Sequence, residues 1–275
     1  KAMDDAEIAE LIERFATSAQ LAEQAGFNGV QIHAAHGYLI SQFLSPLTNR
    51  RTDQWGGSLE NRARLLCEVI RAVRARVSPG FAVAVKINSA DFQRGGFDSA
   101  DALATLKLLN ELPVDLLELS GGSYESPAMQ GRTADGRTLA REAYFLEFTS
   151  QLAKEARMPL MTTGGIRRRA VAEQVIAQGV GIAGMATALT IVPDLPARWR
   201  AGEDTEANLP PVNWSDKTLS ALATMSVIKR QLRRLGARRN SKPDASPLLS
   251  LILDRLRIKR LTGRYRQWLG NNQAQ

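Results

Sequence analysis

The chain has 275 residues, 44% of them hydrophobic, enough for one sizeable core or one core plus a small appendage. Its single cysteine, Cys67, excludes a disulfide framework and a cysteine metal cluster and fits a reducing cytoplasm, and no run reaches the roughly 18 uninterrupted apolar residues of a membrane span. The net charge of +8 is uneven: from Lys217 onward there are 14 basic and 2 acidic residues, a tail of +12, leaving 22 basic and 26 acidic residues in a body of −4, which does not read as a nucleic-acid binder.

The opening "KAMDDAEIAELIERF" is charged and amphipathic and is not a secretory signal. Residues 4 to 25 are predicted as a helix capped by Asp4 or Asp5, with Ile8, Leu11, Ile12, Phe15 and Ala22 on one face. "AGFNGVQIH" is a short strand ending at His33. In residues 59 to 77 the apolar positions 59, 63, 66, 70, 73 and 77 alternate steps of four and three, which predicts a helix with Ser58 as N-cap. "FAVAVKI" follows as a continuous apolar strand, expected to be buried on both faces. "DSADALATLKLLNEL" is a helix, "VDLLELSGG" a strand, "EAYFLEFTSQLAKEA" a helix and "MPLMTTGGI" a strand. "RRAVAEQVIAQG" is a further helix and "VGIAGMA" the last strand. Strands alternating with helices predict a parallel sheet with right-handed crossovers.

Each strand end carries polar or glycine residues: His33, Lys86 to Asn88, Ser120 to Gly122, Thr162 to Gly165, and Ala186 with Thr187. In a (β/α) barrel the active site is built from such ends, with phosphate at the last two. Glycines in "TTGGI" and "GMATAL" let backbone N–H groups approach a phosphate. An open dinucleotide-binding sheet would want G-x-G-x-x-G after its first strand, and the sequence has none there.

The stretch "GFNGVQIHAAHGYLISQFLSPLTNRRTDQWGGSLENR" closely resembles the Old Yellow Enzyme family of FMN-dependent NAD(P)H:flavin oxidoreductases, which are TIM barrels. The resemblance continues through "VKINSADFQRGGF", "LELSGG", "TTGGI" and "VPDLP", over roughly residues 1 to 200. It implies a TIM (β/α)8 barrel of which strands 4 to 8 are present, with His33 ending the fourth. Family members begin with three further strands, so the barrel of this chain is expected to be open. The expected organisation is residues 1–207 as the C-terminal portion of a flavin oxidoreductase barrel and 208–275 as a basic helical extension. The resemblance leans toward the 2,4-dienoyl-CoA reductase branch; its iron–sulfur members need a cysteine cluster after the barrel, so that subtype is excluded.

The resemblance implies transfer of hydride from NAD(P)H through flavin to the C=C bond of an α,β-unsaturated carbonyl. His33 and His36 are then expected to clamp the carbonyl oxygen, where negative charge develops, and Tyr38 to protonate Cα as general acid. Lys86, Gly164, Gly165, Ala186 and Thr187 are expected to bind FMN: Lys86 at the pyrimidine edge, the others at the phosphate. Two departures stand out, because the family usually has arginine both where this chain has Lys86 and after the last strand, where Thr187 stands.

Other readings compete. The two histidines, three apart with no third ligand nearby, could hold a metal or be hydrogen-bonded members of a packed rim; no metal site is expected. Lys86 could instead pair with a carboxylate such as Glu118. "NRRTDQWGGSLENR" is expected to brace a long loop rather than do chemistry, and Cys67 to be a packed thiol. The chain could also be a non-catalytic barrel fragment acting as a structural or interaction module.

In the tail, "TLSALATMSVIKRQLRRLGARR" is predicted as an amphipathic helix with Leu219, Leu222, Met225, Ile228, Leu232 and Leu235 on its stripe, "SKPDASP" as a linker, and "LLSLILDRLRIKRLTGRYRQWLG" as a second, basic helix. A cover on the barrel, a peripheral anchor on anionic membrane and a nucleic-acid arm compete, with nucleic acid least favoured. The expected partners are a small-molecule enone or enoyl substrate, that membrane contact, and further copies of the chain.

Overall fold

A computed structural model describes residues 2–122 and 142–273. The chain divides into two compact units, one formed by Lys1–Ile166 with Ala170–Gly184, the other by Arg167–Arg169 with Met185–Gln275.

The first unit runs α1 (Asp5–Gln24), β1 (Gly29–Ala34), α2 (Leu39–Leu44), α3 (Leu59–Arg76), β2 (Ala82–Asn88), α4 (Ser99–Leu109), β3 (Leu116–Ser120), α5 (Leu146–Ala153), β4 (Leu160–Thr162), α6 (Arg169–Ala177) and β5 (Ile182–Ala183). The helix starts are chemically defined. Asp4 accepts the Glu7 N–H at 2.9 Å while Glu7 accepts the Asp4 N–H at 2.9 Å, a capping box, and Ser58 and Asp98 cap α3 and α4. The five strands pair in parallel in the order β1-β2-β3-β4-β5. Gly29 is required where β1 meets β2, because a Cβ there would lie 2.6 Å from the Ala82 carbonyl oxygen.

Val83, Val85 and Ile87 of β2 are fully buried, as are Leu65, Leu66 and Ile70 of α3 and Leu106 of α4. The other face of β2 differs from expectation: Ala84 and Lys86 are only half-buried, so β2 is sealed on one face and not on both.

The "NRRTDQWGGSLENR" loop is braced as expected. Asn49 Nδ2 donates to the carbonyls of Phe43 and Trp55, each at 2.7 Å, Arg51 forks onto Asp53 and reaches the Met3 carbonyl, and Trp55 Nε1 donates to Asp5 at 2.7 Å. Buried Arg62 donates to the Leu44 carbonyl and pairs with Asp101 at 3.0 Å.

The second unit holds α7 (Thr187–Ile191), α8 (Leu195–Arg200), α9 (Lys217–Gly236) and α10 (Pro247–Gln273). Its small core joins Ala188, Ile191, Leu195 and Ala207, with Trp199 packed against them. α9 and α10 form a helical hairpin. Gln231, fully buried, accepts the Lys242 N–H at 2.6 Å and so ties the connection to α9. Of the apolar stripe, Leu219, Leu222, Met225 and Leu232 are exposed and Ile228 and Leu235 half-buried, while α9 buries Ala223, Ser226, Val227 and Gln231. Among the described residues no helix is long and apolar enough to cross a membrane.

Candidate active site at the strand ends

The register of the sheet builds the site. His33 of β1 lies beside Lys86 of β2, Lys86 beside Glu118 of β3, and Glu118 beside Met161 of β4. Residues level across a sheet share a face, so the histidine, the lysine and the glutamate form one polar row. Beyond His33 the chain turns sharply: His36 and Gly37 take left-handed conformations, with φ of 64° and 76°, and Tyr38 stands just before α2. A non-glycine residue at positive φ is held by its surroundings. Here the His36 N–H donates to Asn88 Oδ1 at 3.1 Å, while Asn88 Nδ2 donates to Asp91 at 2.9 Å and to the Gly122 carbonyl at 3.0 Å.

This turn gathers the three residues expected to be catalytic. The rings of His33 and His36 meet edge to face with centroids 5.0 Å apart, and the Tyr38 ring lies 4.9 Å from that of His33. Nδ1 of His33 accepts the Ala35 N–H at 3.4 Å, which puts its proton on Nε2. Nε2 of His36 is held 2.8 Å from the Ser120 hydroxyl, leaving Nδ1 for another partner. Both imidazoles are held neutral. Burial, then the Lys86 charge, then His33 push His36 down to about 4; burial and Lys86 also lower His33, against an opposing pull from Glu118.

A pH dependence follows. Between about pH 4 and the ordinary value of 6.5 the unfolded chain takes up a proton that the folded His36 refuses. The contribution to stability is therefore complete above pH 6.5 and is lost as pH falls through that window. Histidine ring NMR signals titrating on acidification should show one imidazole uncharged to about pH 4, and urea midpoints should fall over the same range; ordinary titration of both rings near 6.5 would contradict the geometry.

Lys86 makes the pairing that competed with its flavin role: Nζ lies 2.7 Å from Glu118 Oε1, and Gln31 donates to Oε2 at 2.9 Å. Glu118 is 4% exposed. Replacing Lys86 by Met should leave that carboxylate buried without its counter-charge and cost about 3 kcal/mol, the lower end for a broken buried pair because Lys86 keeps some water contact. Urea unfolding measures this; no change would mean that the pair adds nothing to stability.

Gly164 and Gly165 have the open backbone expected of a phosphate turn, with φ of 120° and 69°. The space beside them is filled from within the chain: Cβ atoms would fall 2.6 Å from the Tyr144 backbone nitrogen at Gly164 and 2.6 Å from its hydroxyl at Gly165. Ala186 precedes α7 and Thr187 begins it, in the second unit.

The profile of the NADH:flavin oxidoreductase / NADH oxidase family matches residues 1–206. The chain belongs to that family. It is 37% identical over 231 residues to an NADH-dependent flavin oxidoreductase of Neonectria sp. (strain DH2), covering 81% of this chain and 30% of the relative. A Hypocrea jecorina enzyme of the same name is 40% identical over 202 residues, covering 70% and 50%. Among solved structures, morphinone reductase in complex with tetrahydroNAD superposes with TM-score 0.59 at 28% identity, covering 76% of this chain and 53% of that one. The old yellow enzyme homologue from Zymomonas mobilis gives 0.60 at 28%, covering 75% and 56%. The chain thus spans half or less of the curated relatives' length. Its five parallel strands are the strand 4 to 8 portion of a TIM barrel, as expected.

Within this flavin oxidoreductase frame, the sequence reading marked Asn88 and Ser120 only as polar strand ends and missed their role in holding His36. The signal was their place at the ends of strands neighbouring β1. Burial pushes the Cys67 thiol up, consistent with a packed thiol. Among the described residues no group of three His, Cys, Asp or Glu side chains could hold a metal.

Proposed function

We propose that this chain supplies the substrate-activating strand ends of an FMN-dependent oxidoreductase, which passes hydride from NAD(P)H through flavin to the C=C bond of an α,β-unsaturated carbonyl. The observation that carries this is the cluster of two neutral imidazoles beside one phenol at the end of β1. Neutral imidazoles each keep one N–H to donate, which suits an oxygen that gains negative charge.

The chain's residues fit FMN at one end. An ammonium has three donors, so Lys86 can hold Glu118 and still meet the electron-rich edge of a flavin pyrimidine. At the other end the fit is incomplete: Tyr144 packs against the Cβ side of Gly164 and Gly165, and the roles of Gly164, Gly165, Ala186 and Thr187 rest on the family likeness. When bound, FMN would accept hydride from the nicotinamide and deliver it to Cβ. His33 Nε2 and His36 Nδ1 would orient the carbonyl, and the Tyr38 hydroxyl would give its proton to Cα. The substrate class is a small enone or enoyl compound; homo-oligomerisation belongs to the same proposal.

The test is a visible spectrum followed by two additions. The chain co-expressed with one supplying the neighbouring strands, and reconstituted with FMN, should be yellow, bleach with NADH or NADPH, and recover under anaerobic conditions on adding cyclohexenone. Failure to recover would reject enone reduction. Failure to hold FMN would favour the second reading, a non-catalytic barrel module, which the Tyr144 packing and the Lys86–Glu118 pair support.

A further inference from the structure

One face of the first turns of α10 packs on α9, while Leu248, Leu249, Ile252 and Leu253 are exposed. Ser250 and Asp254 are buried there; Arg233 and Lys229 donate to the Asp254 carboxylate at 2.7 and 3.3 Å, and Arg230 reaches the Ser250 hydroxyl. Burial alone would raise that carboxyl, but the two cations outweigh it and hold it below the usual range. Past Asp254 the packed face ends, and residues 255 to 268 are all exposed. Ile258, Leu261, Tyr265 and Trp268 follow Leu251 and Asp254 at alternating steps of three and four, so the line that faced α9 continues as an exposed apolar stripe. Tyr265 and Trp268 are each 58% exposed, their rings stacked at 5.8 Å. Arg255, Arg257, Lys259, Arg260, Arg264 and Arg266 surround the stripe, and no acidic residue occurs from 255 to the end of the chain.

We propose that the second half of α10 is a docking surface for an anionic lipid bilayer, on which it lies in the plane of the headgroups. Three features select this occupant. Charge complementarity requires an anionic partner, and a second copy of the helix would set six cations against six. Aliphatic side chains with tyrosine and tryptophan match the graded polarity of a membrane interface, where both rings are enriched. A nucleic-acid backbone would use the cations but leave the apolar stripe in water. The helix is not apolar enough to cross a bilayer, so it rests on the surface.

The experiment is flotation of the full chain with phosphatidylcholine vesicles, with and without phosphatidylserine; flotation is chosen because self-associated protein sinks. Phosphatidylserine should raise the bound fraction at least about tenfold at low salt, with much of the gain lost at high salt. The double variant Arg264→Glu/Arg266→Glu should abolish the gain. Tyr265→Ser with Trp268→Ser should weaken binding at unchanged salt dependence, with far-UV circular dichroism showing that the helices persist. No flotation, equal binding to both vesicles, or binding kept by both variants would overturn the proposal. So would tighter binding to a duplex DNA or RNA oligonucleotide that the Tyr265/Trp268 variant leaves intact.

Discussion

Replacing Tyr38 by Phe in a closed, FMN-loaded barrel is expected to slow reoxidation of the reduced flavin by an enone by about 10²–10⁴-fold, the usual range for a general acid. Reduction of the flavin by NAD(P)H should be nearly unchanged, because taking up hydride requires no proton from that phenol. Tyr38 contributes its backbone carbonyl to α2, accepting the Gln42 N–H at 2.8 Å, and Phe keeps that bond. The ring stands against His33 and remains 45% exposed, so the phenolate left after each turnover can regain its proton from water. Stopped-flow absorbance separates the two half-reactions. Equal losses in both would make Tyr38 a packing residue.

What the sequence made legible, and what it hid, follows from the range of the interactions. Caps act within one turn, so Ser58 could be read directly and the start of α1 narrowed to Asp4 or Asp5. Long periodic helices such as α3 were equally plain. α2, six residues within an apolar run, is too short for a period to declare itself. The last strand was expected over "VGIAGMA" and is strand only at Ile182 and Ala183, paired with Met161 and Thr162. In the site, the His33–His36–Tyr38 group was legible because its members are adjacent in sequence. The Lys86–Glu118 pair stood only as an alternative, since it depends on the register of two strands. Tyr144 beside Gly164–Gly165 was hidden, because nothing in either segment encodes the approach of the other. The tail helix revealed an apolar stripe but not which face would pack, since Ala223, Ser226 and Gln231 carry no hydrophobic signal of that kind.

Expressed by itself, the chain of residues 1–275 is expected to associate or precipitate rather than give a monodisperse, FMN-loaded monomer. The sheet order is linear, and among the described residues β1 and β5 each pair with a strand on one side only. An outer edge carries unpaired backbone N–H and C=O groups and so templates further pairing. At β1 the edge is also apolar: a cleft of about 330 Å³ lies between α1 and β1, lined by Leu11, Phe15, Val30 and Ile32 among others. That combination, backbone donors and acceptors beside an apolar trough, is what an added strand fills, with hydrogen bonds giving affinity and side-chain pockets giving register. β2 adds to the effect, since Ala84 and Lys86 on its second face keep partial access to solvent. Helices cannot answer such an edge, because their own backbone groups are already paired. Sizing chromatography and thermal melting decide the matter. Elution well ahead of the monomer position and a broad, concentration-dependent melt are expected, as is recovery of a sharp transition when a chain supplying the neighbouring strands is co-expressed. A single cooperative melt from a monomer holding one FMN would mean that the edges are closed in a way the strand pairing does not reveal.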